Sequence, residues 1–389
     1  MSGYLIVLAV ATFTTLALTP LVRRLAVRIG AVVAPDERRV HERPTPTLGG
    51  VAMYGGFLAA LYAATLIHQF DSVLNDTSEA WGVVLGATVM LFVGVVDDLR
   101  EVSAPAKVAG QVLAGSVLSM FGVTMLYFRL PFLDVFSLSA DLAPLVTVIW
   151  VVVMANAINL IDGLDGLAAG IVAIAAGAFA LYSDRLFDVG LLGDSVSPLI
   201  AVITLGLCIG FLPMNRHPAR IFMGDGGALL LGLLMACSTL LVAGQTVDTY
   251  SGQTFFFYAP LFIPFVILGV PVLDTVFAVV RRAGRRSGLA TADKEHLHHR
   301  LIALGHGQRR AVFILWAWTA ILAGIVLYPA YTERGNAMVP AAVAALAVTL
   351  YTVLHPQVRR TRAEVQGQLE LDLQEPTKNH IGHGDARDG

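Results

Sequence analysis

Long apolar runs, separated by short polar segments, organise the chain. As a helix, an apolar run of about 17 to 25 residues is long enough to cross the hydrocarbon core of a bilayer. Strands of a membrane barrel would alternate in polarity over about 9 to 11 residues, and these runs do not. The pattern predicts an all-α, polytopic integral membrane protein with about eleven transmembrane helices. The predicted spans are Tyr4–Val22, Leu48–Ile67, Trp81–Val96, Val108–Leu126, Leu142–Ile158, Gly166–Leu181, Pro198–Leu212, Gly226–Ala243, Phe255–Val280, Ala311–Ala330 and Ala337–Leu354.

The composition agrees with a membrane protein. Charged residues make up 14% of the 389 residues and hydrophobic residues 56%, whereas soluble proteins carry about 25% charged residues. A net charge of -2 argues against a nucleic-acid partner, because phosphates call for a basic surface. Cys208 and Cys237 lie inside apolar runs, which excludes a disulfide framework and a thiolate metal cage.

Basic residues are distributed unequally between the two predicted sides of the membrane. The loops after spans 1, 3, 5, 7 and 9, together with the C-terminal tail, hold 23 of the 26 basic residues. Since positive charge stays cytoplasmic in short loops, this predicts an N-terminus outside and a cytoplasmic C-terminus. The first span is predicted to be a retained helix, because Arg23 and Arg24 follow it and no basic residue precedes it. We expect a transmembrane domain over 1–358 and a flexible, polar cytoplasmic tail over 359–389.

A pair of carboxylates ends the third predicted span. Asp97 and Asp98 are adjacent, so they repel each other unless a cation or a proton lies between them, which suits a divalent metal or a general base. A solvated helix end is the alternative. Lys107, one of three lysines in the chain, follows ten residues later. It suits either a phosphate ligand or a membrane-interface anchor.

Polar residues recur every three positions between the fifth and sixth predicted spans. Asn156, Asn159, Asp162 and Asp165 occupy these positions, and glycines after both aspartates allow a tight turn. Polar side chains are costly beside lipid, so this segment is predicted to line a hydrated site. A polar hairpin turn would explain one or two of these residues but hardly four.

Two further polar segments lie on the same predicted side. Asn215 and Asp225 frame the loop before span 8, where Asp225 is either an N-cap or a ligand of a cation that bridges phosphates. His296, His298 and His299 lie in the largest predicted cytoplasmic loop, where nearby arginines favour an anionic ligand over zinc. The arginines alone are equally typical of a patch that contacts anionic lipid.

Together these segments resemble the polyprenyl-phosphate N-acetylhexosamine-1-phosphate transferase family, integral membrane enzymes that couple a nucleotide sugar to a lipid phosphate. The resemblance covers most of the chain. Leu297 interrupts the histidine run, and this form is more similar to enzymes that transfer GlcNAc 1-phosphate than to phospho-MurNAc-pentapeptide transferases, which show three consecutive histidines. The matching segments are Arg43–Gly50, Asp97–Asp98 with Lys107, Asn156–Gly170, Asn215–Asp225 and His296–His299.

The resemblance implies transfer of GlcNAc 1-phosphate from UDP-GlcNAc to a polyprenyl phosphate with release of UMP, the first lipid-linked step of a cell-envelope polysaccharide. It implies Mg2+ or Mn2+ held by Asp225 with Asn215 close by, and Asp97 or Asp98 as the base for the attacking lipid phosphate. It also implies a plasma-membrane location, a cytoplasmic site and a homodimer. A two-step route through a covalent aspartyl intermediate stays open.

Substrate contacts are implied for the remaining segments. By the same resemblance, Asn156, Asn159, Asp162 and Asp165 bind substrate, the last three facing the uridine and ribose. Lys107, His296, His298 and His299 would contact phosphates. Asp274, an acid within the ninth span, is either a supporting residue or a partner of Arg281. The prolines of that span suit a kinked helix that opens a groove for the isoprenoid.

A secondary transporter is the alternative from another functional class. Transporters place their coupling sites near the bilayer midplane, often within repeated halves. In this chain the polar candidates cluster at one predicted surface and no repeat is visible. A transporter would show no dependence on a nucleotide sugar.

Overall fold

A computed structural model describes residues 2–34, 44–75, 77–129, 135–188, 190, 192–193, 195–243, 301–302, 306–332 and 338–354. Two short antiparallel strand pairs lie among the helices: β1 (Val32–Val33) with β2 (Thr45–Pro46), and β3 (Tyr127–Arg129) with β4 (Val135–Ser137). A 3-10 turn at His68–Phe70 precedes α3. The described helices are α1 (Ser2–Ile29), α2 (Gly49–Thr65), α3 (Asp71–Asn75), α4 (Glu79–Arg100), α5 (Ala104–Met120), α6 (Leu142–Ile161), α7 (Leu167–Asp188), α8 (Ser197–Asn215), α9 (Gly224–Ala243), α10 (Gln308–Thr332) and α11 (Met338–Leu354).

The helices make this a polytopic membrane protein. Seven of those described, α1, α4, α6, α7, α8, α9 and α10, are long and apolar enough to cross a membrane. After α2 the chain bends by 97° into the segment His68–Asn75. Helices α5 and α11, of 17 residues each, overlap the fourth and the eleventh predicted spans. The ninth predicted span and the tail lie outside the described residues, so the total of eleven and the orientation stay predictions.

Three helix ends differ from the predicted spans by six or seven residues. Helix α7 is one of them, because it continues beyond Leu181 to Asp188. Helix α1 continues beyond Val22 to Ile29, because Val22 and Ala26 are still buried one turn apart, and it ends where Gly30 takes a φ of 76°. Helix α5 stops at Met120 rather than Leu126. Gly122, with a φ of 93°, turns the chain there into an extended segment that leads to β3.

Helix α9 forms the centre of the described helices. Nearly all of its apolar stretch is buried (94%), and it packs against α2, α4, α6 and α8. Its only charged residue is Asp225 in the first turn, as expected for a helix that is apolar on every side and buried. Glycines allow close approach: a side chain at Gly232 would overlap the backbone of Ala155 on α6. Packing at the centre therefore brings Asp225 among the ends of α2, α4 and α6.

Candidate active site

The carboxylate of Asp98 caps the N-terminus of α9. Asp98 Oδ1 accepts a hydrogen bond from the backbone N of Asp225 (2.9 Å), and Oδ2 accepts one from the backbone N of Gly226 (3.3 Å). These are N–H groups that a helix leaves without intrahelical partners, and the helix dipole favours a negative charge there. A side chain at Gly94 on α4 would overlap the backbone of Gly226, so the glycine permits this approach. The cap of α9 therefore comes from α4 and not from Asp225.

Lys107 joins the other two carboxylates. Its Nζ donates to Asp97 Oδ2 at 2.9 Å and to Asp225 Oδ2 at 2.8 Å. The second oxygen of Asp97 accepts a hydrogen bond from the backbone N of Val102 (2.7 Å), next to the turn at Glu101, whose φ is 48°. This turn directs the first turn of α5 back toward α4. Lys107 is therefore neither a membrane-interface anchor nor a free surface cation, and Asp97 is not a freely solvated helix end.

The end of α6 contributes amides to the same cluster. Asn159 Nδ2 lies 3.4 Å from Asp225 Oδ2. Asn156, one turn earlier, donates to Gln111 Oε1 on α5 at 2.6 Å. Gln111 is 1% exposed and was not predicted as a site residue, although it lies one turn after Lys107 in an otherwise apolar helix. That spacing is the signal that would have identified it.

Asp162 follows the last residue of α6 and adds another carboxyl group to this end of the helices. Burial raises the pKa of its carboxyl well above the usual range, and the nearby carboxylates of Asp225, Asp98 and Asp165 raise that pKa further. The charged form of Asp162 is therefore unfavourable without a cation. This end of the helices is suited to bind one.

Asp165 lies in the turn between α6 and α7 and bonds to the loop before α9. Its Oδ2 accepts hydrogen bonds from His217 Nδ1 (2.8 Å) and from the backbone N of Ala219 (3.1 Å). Its side chain is 7% exposed. The predicted contact of Asp165 with uridine and ribose stays a prediction. His217 was not predicted as a partner, since nothing in the local pattern relates positions 52 residues apart.

Asn215 holds the same turn. Its Oδ1 accepts a hydrogen bond from the backbone N of Gly166 (3.1 Å), and its Nδ2 donates to the carbonyl of Ile221 (3.1 Å). The residue is 2% exposed. Gly166, with a φ of 75°, supplies the left-handed conformation of the turn. The described contacts of Asn215 are thus to backbone, and its predicted place beside a metal stays a prediction.

The segment before α2 packs beside the carboxylates. The backbone N of Phe222 donates to the carbonyl of Pro46 (2.9 Å), and the backbone N of Gly49 donates to the carbonyl of Phe222 (3.0 Å). A side chain at Gly224, whose φ is 69°, would overlap Thr47 Oγ1 and the Asp98 carboxylate. The structure therefore brings most of the predicted segment Arg43–Gly50 to the site. Arg43 itself lies outside the described residues.

The side chains of the cluster offer the type of ligand atom that a divalent cation binds. Oxygens of Asp97, Asp98 and Asp225 lie in one hydrogen-bonded cluster, and oxygen is the ligand that Mg2+ prefers. Among the described residues no group of three or more His, Cys, Asp or Glu side chains is arranged to hold a metal ion. Mg2+ commonly uses one or two carboxylates and completes its shell with water and substrate phosphates. The donors present therefore fit such an ion. His296, His298, His299 and Asp274 lie outside the described residues.

Comparison with known proteins places these residues in a family. The sequence model of glycosyl transferase family 4 matches residues 80–243, which include Asp97, Lys107 and Asp225. The decaprenyl-phosphate N-acetylglucosaminephosphotransferase of Mycolicibacterium smegmatis is 36% identical over 350 residues, 87% of this chain and 85% of its own. The probable undecaprenyl-phosphate N-acetylglucosaminyl 1-phosphate transferase of Bacillus subtilis is 36% identical over 79% of both chains.

A relative with a different named activity is also similar to this chain. The phospho-N-acetylmuramoyl-pentapeptide-transferase of Mycolicibacterium vanbaalenii is 32% identical over 86% of this chain and 98% of its own. Each of these similarities extends over most of both chains. This chain belongs to the polyprenyl-phosphate N-acetylhexosamine-1-phosphate transferase family.

Proposed function

We propose that the protein transfers GlcNAc 1-phosphate from UDP-GlcNAc to a membrane polyprenyl phosphate, giving polyprenyl-diphospho-GlcNAc and UMP. The observation that carries this proposal is the bonded cluster of Asp97, Lys107 and Asp225 at the ends of apolar helices. A phosphate on a bilayer-embedded lipid and a soluble nucleotide sugar can meet at such a place. The relatives from M. smegmatis and B. subtilis are named for transfer of the same sugar phosphate, which supports the same reaction here. Membership of the family does not support the transporter alternative.

The reaction is a displacement at phosphorus. An oxygen of the lipid phosphate forms a bond to the β-phosphorus of UDP-GlcNAc, and the bond from that phosphorus to the bridging oxygen breaks, so that UMP leaves with the electron pair. Catalysis of this kind depends mainly on positioning and on stabilising charge. Among the residues that the structure describes, Lys107 is the cationic side chain best placed to contact the reacting phosphates.

We assign the base to Asp97 rather than Asp98. Both oxygens of Asp98 accept backbone N–H groups of α9, which commits this carboxylate to positioning Asp225. Asp97 Oδ2 accepts a hydrogen bond from the ammonium of Lys107, which can transfer that bond to a phosphate. Asp97 then accepts the proton of the lipid phosphate. The proposed route is direct displacement of UMP by the lipid phosphate, without a covalent aspartyl intermediate.

Asp225 would hold Mg2+ or Mn2+. When bound, the ion would neutralise the negative charge of the pyrophosphate of UDP-GlcNAc. Asn215, with both ends of its amide bonded to backbone, would act by keeping the turn at Gly166 in place. Asn159 and Asp162, at the end of α6, would face the nucleoside, with Asn156 supporting them through Gln111. The proposal also includes phosphate contacts by His296, His298 and His299.

The topology belongs to the same proposal. With eleven spans and the N-terminus outside, the carboxylate cluster faces the cytoplasm, where nucleotide sugars are made. The one-sided distribution of 23 basic residues supports this orientation. A plasma-membrane location follows from the proposed envelope product. The homodimer implied by the resemblance stays a prediction.

Transfer of radiolabelled GlcNAc 1-phosphate from UDP-GlcNAc to a polyprenyl phosphate by the purified protein tests the function. We expect lipid-linked product and UMP that depend on Mg2+ and are lost in Asp225→Asn. Asp141→Asn, which alters an exposed aspartate before α6, is the matched control and should retain activity. Product with UDP-MurNAc-pentapeptide but not with UDP-GlcNAc would instead assign this protein the activity for which the M. vanbaalenii relative is named. No product with either substrate from a folded preparation would overturn the proposal.

A further inference from the structure

A cavity of about 850 Å3 is lined by Asp165 and Gly166 of the turn between α6 and α7, and by no residue of the cluster of Asp97, Lys107 and Asp225. One wall is apolar and consists of side chains from α1 and α10, among them Leu16, Phe313 and Trp316. The lining also contains Arg216 and Arg220 from the loop before α9, and Arg309 at the start of α10. The lining is therefore amphipathic and carries three cations.

The cavity lies between α1 and α10, beside the packed helices α7 and α8. Helix α10 packs against α7, α7 against α8, and α8 against α1. The side chain of Trp316 on α10 is fixed by a hydrogen bond from its indole nitrogen to the carbonyl of Leu167 on α7 (3.3 Å). A tryptophan together with arginines is typical of the level where a membrane-spanning helix meets the lipid headgroups.

The positive charge in the cavity is not balanced by the residues that line it. The lining holds three arginines and one acid, Asp165, which already bonds to His217 and Ala219. In the described part of the chain, no ion pair involves Arg216, Arg220 or Arg309. Guanidinium groups bind phosphate through paired hydrogen bonds. The arginines of the lining are therefore suited to bind a phosphate group.

The apolar wall continues onto the surface that faces lipid. Phe313 is 64% exposed and Leu16 is 37% exposed, and both lie on helices apolar enough to span the membrane. An acyl chain can lie against this surface while its headgroup reaches the arginines. A soluble phosphate compound would leave the apolar wall uncovered, so the wall favours an amphiphile.

We propose that this cavity binds an anionic membrane phospholipid, with its phosphate between Arg220 and Arg309 and an acyl chain against Leu16 and Phe313. The bound lipid fills the space between α1 and α10. This site is separate from the one proposed for the acceptor lipid. The inference does not depend on the proposed reaction.

Native mass spectrometry of the purified full chain with added phosphatidylglycerol or phosphatidylcholine tests the proposal. We expect one tightly held phosphatidylglycerol and weaker binding of phosphatidylcholine. Replacing both cations, in Arg220→Gln with Arg309→Gln, should weaken phosphatidylglycerol binding about tenfold or more, since two charge-assisted hydrogen bonds are lost. Arg24→Gln, which removes an exposed arginine of α1 outside the cavity, should leave binding unchanged.

The lysine pair Arg220→Lys with Arg309→Lys keeps the charge and should keep most of the binding, which separates loss of charge from misfolding. Equal binding of both lipids, or binding unchanged in the glutamine pair, would overturn the proposal. Displacement of phosphatidylglycerol by inorganic phosphate would assign the cavity to a soluble anion instead. Displacement by a stoichiometric amount of polyprenyl phosphate would assign it to the acceptor. Because no turnover is measured, these results leave the proposed function untouched.

Discussion

Lys107 Nζ and Asp225 Oδ2 lie 2.8 Å apart, although 118 positions separate the two residues. The same ammonium group also bonds Asp97 at 2.9 Å. One cation therefore joins the end of α4, the start of α5 and the start of α9. The three side chains are at most 25% exposed, so removing the cation leaves two carboxylates close together in a partly desolvated place.

Replacing Lys107 by methionine should abolish most of the activity and destabilise the protein. Loss of a group that stabilises reacting phosphates lowers kcat about 100-fold or more. Lys107→Arg keeps the charge and should retain more of both properties. Transfer assays and thermal unfolding of the two variants provide the measurements. Equal activity of Lys107→Met and wild type would remove Lys107 from the proposed machinery.

The two adjacent aspartates should respond differently to substitution. Asp98→Ala removes the cap of α9 and should lower the free energy of unfolding by about 0.5 to 2 kcal/mol, together with activity. Asp97→Asn keeps an oxygen for Val102 and should lower kcat about 100-fold or more while changing thermal unfolding little. Measuring kcat, KM and unfolding for both variants separates the roles. The reverse pattern would move the base to Asp98.

The apolar pattern was sufficient to locate the long helices that the structure describes and to place polar residues at their ends. Tyr4, for example, begins a run that is helical in the structure, and Asp97 and Asp225 lie at helix ends as predicted. This works because the length and polarity of a run depend on the bilayer, which acts on each helix separately.

The apolar pattern could not predict which side chains of different helices bond to each other. Asp98, and not Asp225, caps α9, and Asp165 bonds to His217 instead of the carboxylate cluster. Such pairs depend on which helices pack together and how closely, and a hydrophobic run carries no information about its partner. The glycine at position 94, which permits α4 to approach α9, shows its role only once both helices are in place.

Gly224→Ala should reduce both stability and activity. Gly224 has a φ of 69°, and a side chain there would overlap Asp98 and Thr47. Gly30 has a φ of 76° with open space around it, so Gly30→Ala is a matched control for backbone strain alone. Strain of this kind costs about 1 to 2 kcal/mol. Thermal unfolding should show a greater loss for Gly224→Ala than for Gly30→Ala, and similar losses would refute the steric argument.

Asn215→Ala distinguishes a role in the turn from a role as metal ligand. The substitution leaves the backbone N of Gly166 and the carbonyl of Ile221 without their partner, which costs about 1 to 3 kcal/mol for each buried group. A positioning role predicts lower stability and kcat with little change in the Mg2+ concentration needed for half-maximal activity. A large rise in that concentration, with normal unfolding, would instead support ligation by Asn215.

Asp162 should make the stability of the protein depend on pH. Its pKa is raised in the folded state by burial and by neighbouring carboxylates, so the folded chain binds this proton more tightly than the unfolded chain. Stability from this group therefore falls as pH rises from the unfolded pKa of about 3.9 through the folded pKa. Without metal, wild type should lose stability as the pH rises above about 4, and Asp162→Asn should lose less.

Thermal unfolding in EDTA over this range, with Asp141→Asn as the exposed control, measures the effect. At the alkaline end Asp162→Asn should be the more stable protein, because its neutral amide carries no charge to bury. Adding Mg2+ should then narrow the difference, since a cation near Asp225 offsets the negative charge that raises the pKa of Asp162. Parallel pH profiles for wild type and Asp162→Asn in EDTA would show that the Asp162 carboxyl ionises without penalty, and the electrostatic argument for a cation at this site would lose that support.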